Sequence, residues 1–274
     1  MYVEVCPPAD GSCDGGGAYH FKYDGYEDTR AFVHRGLLYL LANHEDCYGA
    51  RHLCLLRLGG SARDGSLAAD AVWPLRLEGD ELSPQTTEKN WVPFQYGGHL
   101  YMSYSLQPHR VLRCAWSGGG CHLVHNSSSD FLETYITLQQ ELRGGTPYSR
   151  LSDGSYLAAM HVKDASHAPP LYSTVLYLLE PTPPFRITSV SPKLCLSDAD
   201  EIELPISARC ALQFVVGLWV DEAANLALIT FGEMDRRMKL ARLPLDRLVA
   251  IAKTHSIDES GVSESECTEW GARV

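Results

Sequence analysis

Residues 27–41 read Glu27-Asp28-Thr29-Arg30-Ala31-Phe32-Val33-His34-Arg35-Gly36-Leu37-Leu38-Tyr39-Leu40-Leu41: a polar cluster, then two strand-like runs across an Arg-Gly turn. The design recurs three times. Glu88-Lys89-Asn90-Trp91 enters a hairpin turning at Tyr96-Gly97-Gly98 and returning through His99-Leu100-Tyr101-Met102-Ser103-Tyr104. Arg143-Gly144-Gly145-Thr146 leads to a Ser152-Asp153-Gly154-Ser155 turn and Tyr156-Leu157-Ala158-Ala159-Met160. Phe214 opens the last hairpin, which turns at Asp221 to Asn225 and returns through Leu226 to Phe231. The returning strands end near His44, His109-Arg110, His161 and Asp235. Tyr39, Tyr101, Tyr156 and Leu226 are matched positions, 62, 55 and 70 residues apart. That is too irregular for a solenoid but suits propeller blades with variable outer loops. Third strands are expected at His52 to Leu58, Val111 to Trp116, Ser173 to Leu179 and Met238 to Leu243. The expected fold is an all-β propeller whose equivalent strand ends meet on one axis.

The chain has 274 residues, 45% hydrophobic and 21% charged, enough to bury a full core. Its formal charge of −11 offers no basic field to a phosphate backbone, so nucleic acid is not an expected partner. No apolar run approaches the roughly 20 residues needed to span a bilayer. The start is rich in Cys, Pro and Gly rather than built as an apolar secretory core. A cytoplasmic protein without a membrane partner is therefore expected, and an oligomer is allowed. Cys6/Cys13, Cys47/Cys54 and Cys114/Cys121 share one spacing, whose six intervening residues fit no common zinc template; with Cys267 left over, free thiols are expected. The sequon Asn126-Ser127-Ser128 matters only for a secreted chain.

Residues 1–20 read as irregular, 21–254 as a single propeller domain, and 255–274 as a flexible tail. Helical signal is confined to Asp130 to Leu142 and, more clearly, Pro244 to Ala252. Pro181-Thr182-Pro183-Pro184 reads as an edge loop, because strand-like segments continue on both sides.

In such a fold the repeated polar positions lie on one rim, a shallow polar funnel suited to hydroxylated ligands. Asp28 is a candidate acid, tunable upward by Glu27 and downward by Arg30; the alternative is a surface Asp paired with Arg30. Lys89, Arg110, Arg143 and His161 form a cationic set for an anion or a developing leaving-group charge. Gly144-Gly145 allows a ligand to lie against the backbone, although a tight turn also explains it. Trp91 is a candidate for stacking on a sugar face, and Tyr39, Tyr101 and Tyr156 are assigned to packing. No metal signature, Walker loop, nucleophile elbow or dinucleotide fingerprint occurs.

At these clusters the sequence resembles the five-bladed propellers of glycoside hydrolase family 130, which includes β-mannoside phosphorylases, and their relatives the β-1,2-mannosyltransferases. The matching pieces are Glu27-Asp28-Thr29-Arg30 with Phe32 and Gly36 to Leu40, similar to that family's EDPR motif and hairpin; Glu88-Lys89-Asn90; Gly144-Gly145-Thr146-Pro147 with His161; and Gly217-Leu218 through Phe231-Gly232 and Asp235. Thr29 stands where the motif has Pro, and Lys89 where the phosphorylases usually carry Arg. The resemblance implies inverting transfer at a β-mannosidic bond, with Asp28 as the acid and inorganic phosphate or a sugar phosphate as co-substrate. No other cofactor is implied. Lys89, Arg110 and His161 would hold the phosphate; Asn90 and Asp235, with Trp91, Gly144 and Gly145, would contact an oligosaccharide or glycoside. A nucleotide sugar is the other donor that transferases of this fold use. Family members usually have a whole blade before the EDPR segment, so the expected architecture is five blades with four readable and the first incomplete, as in a chain truncated at its start or one that closes its ring in some other way. A non-catalytic carbohydrate-binding or scaffold propeller and a phosphate-independent glycoside hydrolase remain open alternatives.

Overall fold

Arg35 and Gly36 both take left-handed φ values, 49° and 77°, and close β1 (Glu27–His34) onto β2 (Leu37–Glu45) through the two-residue turn that the sequence predicts. The computed structural model describes residues 26–45, 51–61, 63–78, 88–196, 202–203, 212–257 and 262–265. Residues 1–20 lie outside this set. From β2 the chain meanders antiparallel through β3 (Arg51–Gly59) to β4 (Ala68–Glu78). A second meander follows: β5 (Val92–Tyr96), β6 (His99–Leu106), β7 (His109–Cys114) and β8 (Gly119–Ser129). β4 runs parallel to β8 from Leu75/Gly119 to Glu78/His122, so the two meanders share one sheet.

The helix expected from Asp130 to Leu142 is only α1 (Asp130–Tyr135), capped by the Ser129 hydroxyl. Ile136 is extended, and Gln140 to Leu142 belong to β9 (Gln140–Gly144). Consecutive β-branched Ile136 and Thr137 disfavour further helix, and pairing with β11 takes the remainder. β9 and β10 (Ser149–Arg150) flank one side of β11 (Tyr156–Asp164), which continues through β12 (Leu171–Leu179) to β13 (Ile187–Val190). A small hairpin, β14 (Cys195–Leu196) with β15 (Ile202–Glu203), precedes the last meander. That meander is β16 (Gln213–Asp221), β17 (Leu226–Glu233) and β18 (Arg237–Pro244), followed by α2 (Leu245–Ala252). The expected flexible tail contains two paired segments, β19 (His255–Ser256) on β13 and β20 (Val262–Ser265) on β8.

The protein is all-β, with four meanders among the described residues. Period-2 alternation gives each meander apolar faces, and three buried clusters join neighbours in chain order. Leu41, Leu53 and Leu55 pack with Trp91, Leu100 and Met102 between the first and second. Phe94, Tyr101 and Val111 pack with Tyr156, Met160 and Tyr177 between the second and third. Leu157, Ala159 and Leu176 pack with Ile229, Phe231 and Leu248 between the third, the fourth and α2. Each such aliphatic or aromatic side chain stabilises the packed state by about 1.5–3 kcal/mol. Tyr39, Tyr101 and Tyr156 are buried, as their packing assignment requires.

The free-thiol expectation fails at three described positions. Cys114 and Cys121 are register partners on β7 and β8, 4.2 Å apart at Cα, and form a disulfide. Six intervening residues place both cysteines opposite each other across a hairpin, which a count of spacings alone does not reveal. Cys195 is disulfide-bonded as well. Cys6, Cys13, Cys47, Cys210 and Cys267 fall outside the described residues.

Candidate functional site

The β1–β2 register slips between Glu27 and Arg30, and within this bulge Asp28 takes a φ of 51°. The slip turns Arg30 inward, where it is completely buried. Its guanidinium donates to the main-chain oxygens of Asp28 (2.9 Å), Gly144 (3.0 Å) and Gly145, and to the Asn90 side-chain oxygen (3.2 Å). Burial lowers its pKa to about 10, against the opposing fields of Asp28 and Tyr177, so Arg30 remains charged at neutral pH. Four residues predicted as site members are thus tied to one cation. Arg30 was legible only as a surface partner for the Asp28 carboxylate; it bonds the Asp28 carbonyl instead.

Beside this hub lies a cavity of about 340 Å³ bordered by Lys89, Asn90, Arg110, Arg143, Gly144, Tyr104 and Gln140, among others. Arg143 is paired with Glu141. Lys89 and Arg110 make no ion pair among the described residues. The Lys89 side chain reaches solvent, yet its ammonium is partly desolvated; that desolvation and then Arg143 hold its pKa down, against Asp28. An anion in the cavity would relieve this crowding of like charge.

Asp28 does not border the cavity, but its charge acts on Lys89, which does. Its carboxylate accepts a hydrogen bond from Asn43 (3.2 Å). Asp28, Asn90 and Asp235 share left-handed φ values of 51°, 63° and 52°, a conformation that non-glycine residues adopt at some cost and that concentrates at functional sites. Asp235 is exposed in the β17–β18 turn; its field and that of Asp28 both reach the phenol of Tyr172. Burial raises the Tyr172 pKa, with Arg143 opposing. No sequence signal singled out Tyr172.

Burial and contact qualify three expectations. Trp91 is 1% exposed and donates to Glu88 at 3.2 Å, so although it borders the cavity its ring packs mainly in the core; half-buried Tyr104, packed edge-on against it at 5.4 Å, borders the same cavity and is the more accessible aromatic. His161 is fully buried, stacked on Phe214 at 4.1 Å, and does not border the cavity. Burial and then Arg30 push its pKa down to about 3, which leaves a neutral ring unsuited to holding phosphate by charge. Main-chain groups of Val215 and Gly144 oppose that shift, though neither ring nitrogen has a partner of hydrogen-bonding geometry. At Gly144 a Cβ would lie 2.0 Å from the Asn90 oxygen, and at Gly145 2.4 Å from that of Ala159. Both positions need glycine for these close backbone approaches; Gly144 borders the cavity as well, and Gly145 does not.

No protein-family model matches the chain. Its curated relatives are β-mannosyltransferases. β-Mannosyltransferase 3 of Komagataella phaffii is 40% identical over 70 residues, 24% of this chain and 11% of the relative. β-Mannosyltransferase 3 of Candida albicans is 31% identical over 117 residues, 38% and 21%. β-Mannosyltransferase 1 of K. phaffii is 26% identical over 145 residues, 47% and 20%. The matched stretches thus span no more than 21% of these relatives' own lengths. Among solved structures, MPT-1, a GDP-Man-dependent mannosyltransferase from Leishmania mexicana, aligns over 85% of this chain and 73% of its own, with a TM-score of 0.46 and 11% identity. The mannosyltransferase side of the expected resemblance has sequence support; no family model supports the glycoside hydrolase family 130 side.

Proposed function

We propose that the chain carries the site of an inverting mannosyltransferase whose donor is an anionic activated mannose, a sugar phosphate or nucleotide sugar. The observation that carries this reading is the pair Lys89 and Arg110, two cations without carboxylate partners among the described residues, facing one cavity beside Asp28. The curated relatives supply the sugar. An acceptor hydroxyl attacks C1 of the mannosyl donor while the bond from C1 to the phosphate oxygen breaks. The electron pair leaves on the phosphate, whose charge Lys89, Arg110 and Arg143 balance. Asp28 takes the acceptor's proton as general base and later releases it to solvent. Inversion converts an α-linked donor into a β-linked product. Asn90 contacts the sugar from its Arg30-held position, and Asp235 and Tyr172 form the outer rim.

The four meanders are read as propeller blades, five once a further unit completes the ring. The Cys114–Cys121 disulfide favours maturation in an oxidising compartment over the cytoplasm.

The test is incubation of the purified protein with a manno-oligosaccharide and either GDP-mannose or mannose 1-phosphate. The expected product is an oligosaccharide extended by one β-linked mannose, lost in Asp28→Asn. Mannose 1-phosphate formed from oligosaccharide and phosphate would make it a phosphorylase instead, and free mannose formed without phosphate a hydrolase. Calorimetric binding with no turnover would leave a binding module.

A further inference from the structure

Glu27 and Asp28 are adjacent carboxylates, yet they are bonded to different groups. Arg51 pairs with Glu27 and also donates to the side-chain oxygen of Asn43 at 3.3 Å. Because that oxygen is occupied, the Asn43 amide nitrogen is the atom that faces Asp28, donating to Oδ2 at 3.2 Å. Asn43 is 1% exposed and sits on β2 directly opposite Glu27, at the step where the register slips. The bulge, the guanidinium and the amide thus form one closed set of contacts. Glu27 is turned toward Arg51, and one Asp28 oxygen is engaged while the other takes no hydrogen bond among the described residues.

We infer that Asn43 is a positioning residue for the transfer reaction, fixing the Asp28 carboxylate so that Oδ1 is the atom that takes the acceptor's proton. The inference rests on the proposed mannosyl transfer and adds the residue that aims its base. An amide donor favours the ionised carboxylate, the form a general base needs. The other ionisable groups acting there are Glu27 and Arg30 on the same strand, Arg51 on β3, Lys89 ahead of β5 and Tyr172 on β12. None of them supplies a neutral donor to Oδ2 among the described contacts.

The experiment compares parent, Asp28→Asn, Asn43→Ala and Asn43→Asp in the mannosyl-transfer assay, with kcat and donor KM followed from pH 5 to 8. Asn43→Ala is expected to lower kcat by roughly tenfold or more, with donor KM little changed, and to move the acid limb of the kcat profile up by roughly one pH unit. Asn43→Asp keeps the shape, adds a like charge and moves that limb further up; it carries the test should Asn43→Ala not fold. A dead Asp28→Asn with an unmoved acid limb in both Asn43 variants would overturn the inference and leave the function standing. An active Asp28→Asn would remove the function itself.

Discussion

Arg30 is fully buried and directs its donors to Asp28, Asn90, Gly144 and Gly145, whereas Lys89 and Arg110 border an open cavity with no carboxylate partner among the described residues. Cations serve two purposes on either side of Asn90, which Arg30 bonds and which borders the cavity. One holds three chain segments in register; the others are left for a charge that the protein does not provide. The contrast lies in the acceptors: Arg30 meets mostly neutral carbonyls that need a donor because they are buried, so its loss harms folding. Lys89 and Arg110 can be lost with the fold intact, at the expense of binding.

The sharpest way to break that contrast is Arg30→Met, which leaves several buried acceptors without a donor. A loss of about 3 kcal/mol is expected, or roughly 6–12 °C in the melting temperature by calorimetry. Next in size is acid sensitivity. His161 and His109 are held at about 3 by burial, well below the ordinary 6.5, so the unfolded chain binds protons that the folded one refuses. Their stabilisation is complete above the ordinary value and declines as pH falls from about 6.5 toward 3. Urea midpoints measured between pH 7 and 4 should therefore fall less steeply in His161→Phe than in the parent. Gly144→Ala should cost about 1–3 kcal/mol, read by urea midpoint, because the Asn90 carbonyl cannot easily retreat from the added methyl. At the other end of the scale, Lys89→Ala and Arg110→Ala should change stability by no more than about 0.5 kcal/mol. Each should nevertheless raise the KM for an anionic donor roughly tenfold; an unchanged KM would place the anion elsewhere.

Much of the strand order is legible because local chemistry and final structure agree. Arg35-Gly36 and Gly97-Gly98 demand two-residue turns and form them. The apolar runs Leu37 to Leu41 and Tyr156 to Met160 both form strands, with burial alternating in the first and continuous in the second. Legibility ends where a non-local contact decides. Gln140 to Leu142 reads as helix until β11 offers hydrogen bonds. Arg30 reads as a surface residue because period-2 counting continues through a bulge that only the partner strand reveals. His161 and Trp91 carry the right functional groups for a site, but their burial depends on Phe214 and Tyr104, distant or unremarkable in sequence. The three left-handed residues Asp28, Asn90 and Asp235 offered no backbone clue beforehand, since Asp and Asn tolerate ordinary conformations equally well.

The parallel pairing of β4 with β8 gives the first two meanders one continuous hydrogen-bond network, while β16–β18 form a sheet of their own. Opening one of the first two exposes the shared seam of the other, so their amides should exchange with solvent at similar rates, as one cooperative block. The β16–β18 sheet, carrying the Asp235 turn, is joined to its neighbours mainly by side-chain packing and can open by itself. One side of the rim is then as slow as global unfolding and the other is not, an asymmetry in time built into a site that looks static in space.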